Sequence, residues 1–165
     1  MNMIIKLNFL VFSLLFINLI TAQKSIPNIT LQDFNNTPVE IKSLTNNNLT
    51  VLSFWATWCI PCINELNAIN DHYQEWQTET NVKLIAISID DNRTISRVRP
   101  MVNSNEWEYE ILYDKNQDLK RALQITNIPF TLIVQNGKIV FQHTGYTPGD
   151  EELLFTKIKE ISFKQ

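Results

Sequence analysis

The stretch LTVLSFWATWCIPCINEL, residues 49–66, changes its periodicity halfway along and carries the only two cysteines of the chain. Leu49 to Trp55 is a near-continuous apolar run of strand length, the pattern of a central strand covered on both faces. Beyond it, Ile63, Leu66, Ile69, Tyr73 and Trp76 recur at three- and four-residue spacings, which predicts a helix with one apolar face. Cys59 and Cys62 therefore fall where a buried strand ends and a helix begins.

Three uses of such a pair can be weighed. A purely structural disulfide closing so short a loop adds little, because stabilisation grows with the length of chain constrained. A tetrahedral metal site needs four ligands, and the chain offers beyond the pair only His72 and His143, far apart in sequence. Redox chemistry accounts for more. At a helix N-terminus the unpaired N–H groups favour a thiolate at Cys59, making it the nucleophile, and Cys62 is close enough to resolve the mixed disulfide. Pro61 suits the first helical turn, where its missing N–H is no loss. This chemistry needs no cofactor and no metal.

Working outward, Ile29 to Leu44 gives two short alternating runs around Asn35-Asn36-Thr37-Pro38, a β-hairpin signal closed by the polar Thr45–Asn48. Val82 to Ile89 reads as a second central strand, and Thr94 to Asn103 as a weak helix limited by Pro100. Tyr109 to Asp114 reads as a shorter strand and Asn116 to Gln124 as a short helix. FTLIVQNGKIVFQH, residues 130–143, predicts two strands joined by Asn136-Gly137. The last element has Thr147 as expected N-cap and Pro148 as first helical residue. The fold class is α/β: a mixed sheet with helices on both faces.

At 165 residues the chain has the size of one domain. Its formal charge is -3, and the first 22 residues carry only Lys6, so removing that single positive charge leaves -4. Nucleic acid and an anionic membrane surface are poor partners for such a balance. Residues 1–22, with one early lysine, an apolar stretch from Leu7 to Ile20 and Ala22 at the end, read as a cleaved signal peptide ahead of a domain over 23–165. The apolar stretch is shorter than the roughly 20 residues of a spanning helix and is interrupted by Asn8, Ser13 and Asn18. The expected location is the periplasm or the outer face of the cytoplasmic membrane, where disulfides persist.

FWATWCIPC followed by a helix, with NIPFTLIV before a terminal hairpin and helix, resembles the thioredoxin superfamily. The resemblance implies that the Ile128-Pro129 bond is cis and that both residues lie against the disulfide, where substrate backbone docks. The extra hairpin at Ile29 to Leu44 and the inserted helix and strand at Thr94 to Asp114 are similar to those of the exported TlpA/ResA-like reductases. That group implies an acid on the helix after the cysteines, and Glu65 falls there, three residues from Cys62 on the same helix face. Thioredoxin has a buried aspartate six residues before its first cysteine. Here Ser53 stands at that position, which leaves Glu65 as the substitute acid. The implied activity is reduction of disulfides in exported proteins, apocytochrome c among them, by a monomer drawing electrons from a membrane partner.

Trp58 is expected to shield the site and offer an apolar docking surface, and Trp55 to sit in the core. Phe130 and Thr131 read first as strand residues, and His72 and His143 as surface or satisfied histidines. Two other functions compete. A peroxidase of the peroxiredoxin type would have a threonine three residues before the reactive cysteine, where this chain has Ala56. A copper carrier would use Cys59, Cys62 and His143.

Overall fold

The computed structural model describes residues 24–163, so the signal-peptide reading of residues 1–22 lies outside the described residues. Strand β3, Leu49–Trp55, is buried at every position, as its unbroken apolar run requires. It pairs in parallel with β4, Lys83–Ser88, and antiparallel with β6, Phe130–Gln135. Helix α2, Ile60–Thr80, connects β3 to β4 and ends at Asn81, whose φ of 53° closes the last turn. It buries Cys62, Glu65, Leu66, Ile69, Tyr73 and Trp76, so the predicted apolar spacing is the face that meets the sheet.

The hairpin upstream consists of β1, Thr30–Gln32, and β2, Pro38–Glu40. It is shorter than the sequence suggests, because Ile41–Thr45 forms a helical turn, α1, instead of prolonging β2. Ile41 and Thr45 are both fully buried while Ser43 between them is exposed, a helical rather than an alternating pattern. After β4, a 3₁₀ turn at Ile95–Arg97 leads into α3, Val98–Ser104, and then into β5, Glu110–Tyr113, parallel to β4. Pro100 is the third residue of α3, where an N–H would have no intrahelical acceptor, so it starts the helix rather than breaking it. Helix α4, Asp118–Ala122, precedes β6.

Strand β7, Lys138–Thr144, completes a seven-stranded sheet of order β2-β1-β5-β4-β3-β6-β7. Asn136 and Gly137 have φ of 50° and 74°, the geometry the tight hairpin demands. The β6/β7 ladder is irregular: Val134 faces Ile139 but Ile133 faces Phe141, leaving Val140 as an extra residue. The final helix, α5, is Asp150–Ser162. It begins two residues later than the sequence suggests, because Gly149 has φ 104°, which no helix accommodates. Its first-turn acids reach back instead: Thr147 N–H donates to Asp150 Oδ2 at 2.7 Å and Gly149 N–H to Glu151 Oε2 at 2.9 Å. Helices α2 and α5 pack together through the stacked rings of Trp76 and Phe155, with centroids 5.0 Å apart.

Candidate active site

The chain leaves β3 at Trp55 and enters α2 with Cys59 as its N-cap residue and Pro61 as the second helical residue. Cys59 N–H donates to the Ala56 carbonyl at 3.0 Å, and the Cys59 carbonyl accepts from Ile63 N–H at 3.1 Å. Cys59 and Cys62 form a disulfide with Cα atoms 5.3 Å apart. Cys62 is fully buried and Cys59 retains 6% exposure, so an incoming thiol or disulfide meets Cys59 first. The flanking Trp58 and Ile60 are 58% and 71% exposed, an apolar rim beside Cys59. Trp55, in contrast, is in the core, edge-on to Trp107 at 4.9 Å. The Ile128-Pro129 peptide is cis and immediately precedes β6, and the Pro129 carbonyl accepts from Gly145 N–H at 2.8 Å.

A buried carboxylate fixes the loop before the cysteines. Asp90, fully buried after β4, accepts from Thr57 N–H at 2.9 Å, Thr57 Oγ1 at 2.7 Å and Ser88 Oγ at 2.9 Å. Three donors around one carboxylate hold Thr57, and with it the entry to Cys59, against the end of β4. Nothing in the sequence marks this residue: Asp91 beside it pairs with exposed Arg93 instead.

Glu65 is the second buried carboxyl. Position 53 faces Thr131 across β3 and β6, and Thr131 in turn faces His143 across β6 and β7. Laterally paired residues share a sheet face, so Ser53, Thr131 and His143 form a polar row from the centre of the sheet to its edge. Glu65 lies over that row. Its Oε2 accepts from Ser53 Oγ at 3.0 Å and its Oε1 from Thr131 Oγ1 at 2.7 Å. The carboxyl thus comes from the helix and its anchor from position 53 of the strand. Burial pushes the Glu65 carboxyl up from the ordinary 4.5 to about 7, against the Thr131 and Ser53 hydrogen bonds and the charge of His143, which hold it down. Near neutrality it can take up or release a proton. Tyr109 donates its hydroxyl to the Leu66 carbonyl at 2.9 Å and is held neutral by burial, with the Glu65 charge adding to the effect.

Two residues read from sequence as unremarkable belong to this site. Thr131 is a strand residue that also binds Glu65. His143 is partly on the surface, its side chain 41% exposed, but it is not satisfied: its Nε2 is buried, lies 3.5 Å from Asp150 Oδ2 and makes no hydrogen bond among the described residues. His72 is on the surface, its Nδ1 3.8 Å from Glu75. A cavity of about 330 Å³ opens beside Glu65, walled by Thr131, Phe141 and His143 of the sheet and Asp150 and Leu154 of α5.

The chain is similar in sequence and fold to known proteins. A thioredoxin-like protein from Porphyromonas gingivalis, solved in solution, superposes with a TM-score of 0.75 at 43% identity, over 84% of this chain and 92% of that one. The structure of StoA from Bacillus subtilis shares the fold, with a TM-score of 0.63 at 20% identity over 79% and 99% of the two chains. Among curated proteins, the thiol-disulfide oxidoreductase ResA of Bacillus thuringiensis is 29% identical over 123 residues, 74% of this chain and 69% of the relative. The model of the AhpC/TSA family matches residues 22–143, from before β1 through His143. With the family pattern spanning most of the chain and a disulfide at the mouth of its first long helix, the chain belongs to the AhpC/TSA family, among its thioredoxin-like thiol-disulfide oxidoreductases.

Proposed function

We propose that this oxidoreductase works in the cell envelope as a reductase of disulfides in exported proteins. The observation that carries the reading is a disulfide in which Cys59 alone keeps some exposure, with the buried Glu65 carboxyl three residues beyond Cys62 on the same helix and pushed up to about 7 by burial. Cys59 Sγ attacks a substrate disulfide as the thiolate, and the substrate's leaving sulfur takes up a proton. Cys62 passes its own proton to Glu65 and attacks Cys59 Sγ, which closes the Cys59–Cys62 disulfide and expels the second substrate sulfur as a thiolate that takes its proton from solvent. Two electrons leave the protein in each cycle. Trp58, Ile128 and Pro129 form the surface on which substrate backbone docks.

No cofactor is required beyond the disulfide itself, and a membrane-borne donor of electrons restores the dithiol. Export of residues 23–165 after loss of residues 1–22 agrees with this, and apocytochrome c is a candidate substrate because its haem-binding thiols must be reduced. The test is partner capture with Cys62→Ser in the native envelope. The variant should accumulate mixed disulfides between Cys59 and exported proteins, whereas Cys59→Ser should capture none. Capture of cytoplasmic proteins, or trapping by the Cys59→Ser variant instead, overturns the reading.

A further inference from the structure

A carboxyl that takes a proton in each cycle must either hold it for Cys62 or exchange it with solvent before the next, and Glu65 is buried, with only 4% of its surface exposed. Its two hydrogen-bonding partners, Ser53 and Thr131, are themselves buried. Neither hydroxyl is a proton store. The polar row does lead outward, however, to His143 on the edge strand, and His143 shares the cavity with Glu65. Its buried Nε2 has no hydrogen-bonding partner among the described residues, while Asp150 waits 3.5 Å away at the first turn of α5. The side chain as a whole is 41% exposed, so one end of the imidazole is enclosed and the other reaches solvent.

We propose that His143, with Asp150, is the group through which Glu65 exchanges its proton with solvent across the cavity between the sheet and α5. The inference rests on the reductase reading above and adds a route to it. After Cys62 is deprotonated, Glu65 holds one additional proton. That proton passes along the Thr131 side of the cavity to His143, which takes it on one ring nitrogen and releases it to solvent, with Asp150 Oδ2 3.5 Å from Nε2. When the donor restores the dithiol, the path runs in reverse. No electrons move in this step, and the carboxylate of Glu65 is regenerated.

The charged and titratable groups facing this path are few: the Tyr109 and Tyr146 hydroxyls, both held protonated chiefly by burial, and Asp150, Glu151, Lys157 and Glu160 of α5. Lys157 is paired with Glu160 at 2.6 Å, and Glu151 accepts from the Tyr146 hydroxyl at 2.9 Å. His143 lines the same cavity as these α5 groups and Glu65. It acts through Glu65 and is a positioning residue in that sense.

The experiment follows the two thiol steps of the full reduced protein separately, with a small-molecule disulfide in place of a protein substrate, using rapid mixing from pH 5 to 9. In His143→Ala the attack by Cys59 should be unchanged, whereas resolution by Cys62 should slow by roughly tenfold or more from the second cycle on, once a dithiol reductant added between mixings has restored Cys59 and Cys62. Imidazole, which the vacated space can admit, should restore the rate. His143→Gln, which refills the space without a titrating group, should be slow and should not respond to imidazole. A His143→Ala protein with the wild-type rate and pH profile overturns the inference while leaving the reductase reading intact. So does slowing that imidazole fails to relieve while His143→Gln runs at the wild-type rate. If the wild-type protein itself fails to reduce the small disulfide, the reductase reading falls and this inference with it.

Discussion

Replacing Glu65 by glutamine should change how the stability of the protein depends on pH. In the unfolded chain the carboxyl titrates near 4.5, whereas in the folded protein burial holds it at about 7. The folded state therefore binds this proton more tightly than the unfolded state. The contribution to stability is fully present below pH 4.5 and is lost as pH rises through about 7. At 1.36 kcal/mol per pH unit, the interval amounts to about 3 kcal/mol, almost all of it gone by pH 8. Glutamine keeps the shape, and its amide can still meet the hydroxyls of Ser53 and Thr131, which donate or accept. It carries no charge at any pH in this range. Urea unfolding at intervals between pH 4.5 and 8 should thus show Glu65→Gln gaining on the wild type by about 3 kcal/mol across the series, with unchanged m-values. Parallel curves for the two proteins would mean that Glu65 is solvated like any surface acid, and the account of its role would be refuted.

Thr131→Val removes a hydroxyl that lowers the Glu65 pKa while keeping the side-chain shape, so the Glu65 midpoint should move above the wild-type value, as followed by carbon-13 NMR of the carboxyl. An unchanged or lower midpoint refutes the assignment. Asp90→Ala strands the buried Thr57 N–H and Ser88 hydroxyl, each unmet group costing about 1–3 kcal/mol, and should release the loop before Cys59. Hydrogen exchange at the Thr57 amide reports this directly: protection equal to the wild type would show that the clamp does not hold the loop.

Much of this fold is legible because its strongest signals are local. The unbroken apolar run of β3 can be satisfied only in the middle of a sheet, and the three- and four-residue spacing of α2 only on a helix packed against it. Asn136-Gly137 marks its hairpin because few other pairs tolerate two successive positive φ angles. The cis Ile128-Pro129 bond agrees with what the family resemblance implies. The misplaced boundaries have equally local causes: α1 carries only two buried positions, too few to reveal a period, and Gly149 reads like a harmless helix residue until its φ is known. The site was legible where one element supplies it, as with Cys59, Cys62 and Glu65 on α2. It was hidden where strands meet. Regular pairing outward from the Asn136-Gly137 turn would set Gln142 opposite Thr131, and only the extra Val140 brings His143 there. Asp90 and Asp91 are indistinguishable as letters, yet one is buried under three donors and the other faces solvent.

The irregularity at Val140 also bears on how relatives of this chain are compared. Which residue stands at the outer end of the polar row is decided by counting along β7, not by the identity of any residue in the row. A lineage that lost Val140 together with its bulge would still set the histidine opposite Thr131, because the deletion and the restored pairing cancel. A lineage that kept every letter of β7 but paired them regularly would set Gln142 there and turn the imidazole to the opposite face of the sheet. A one-residue gap at Val140 is therefore neutral for the polar row, whereas a gap at Gln142 would move the imidazole out of it.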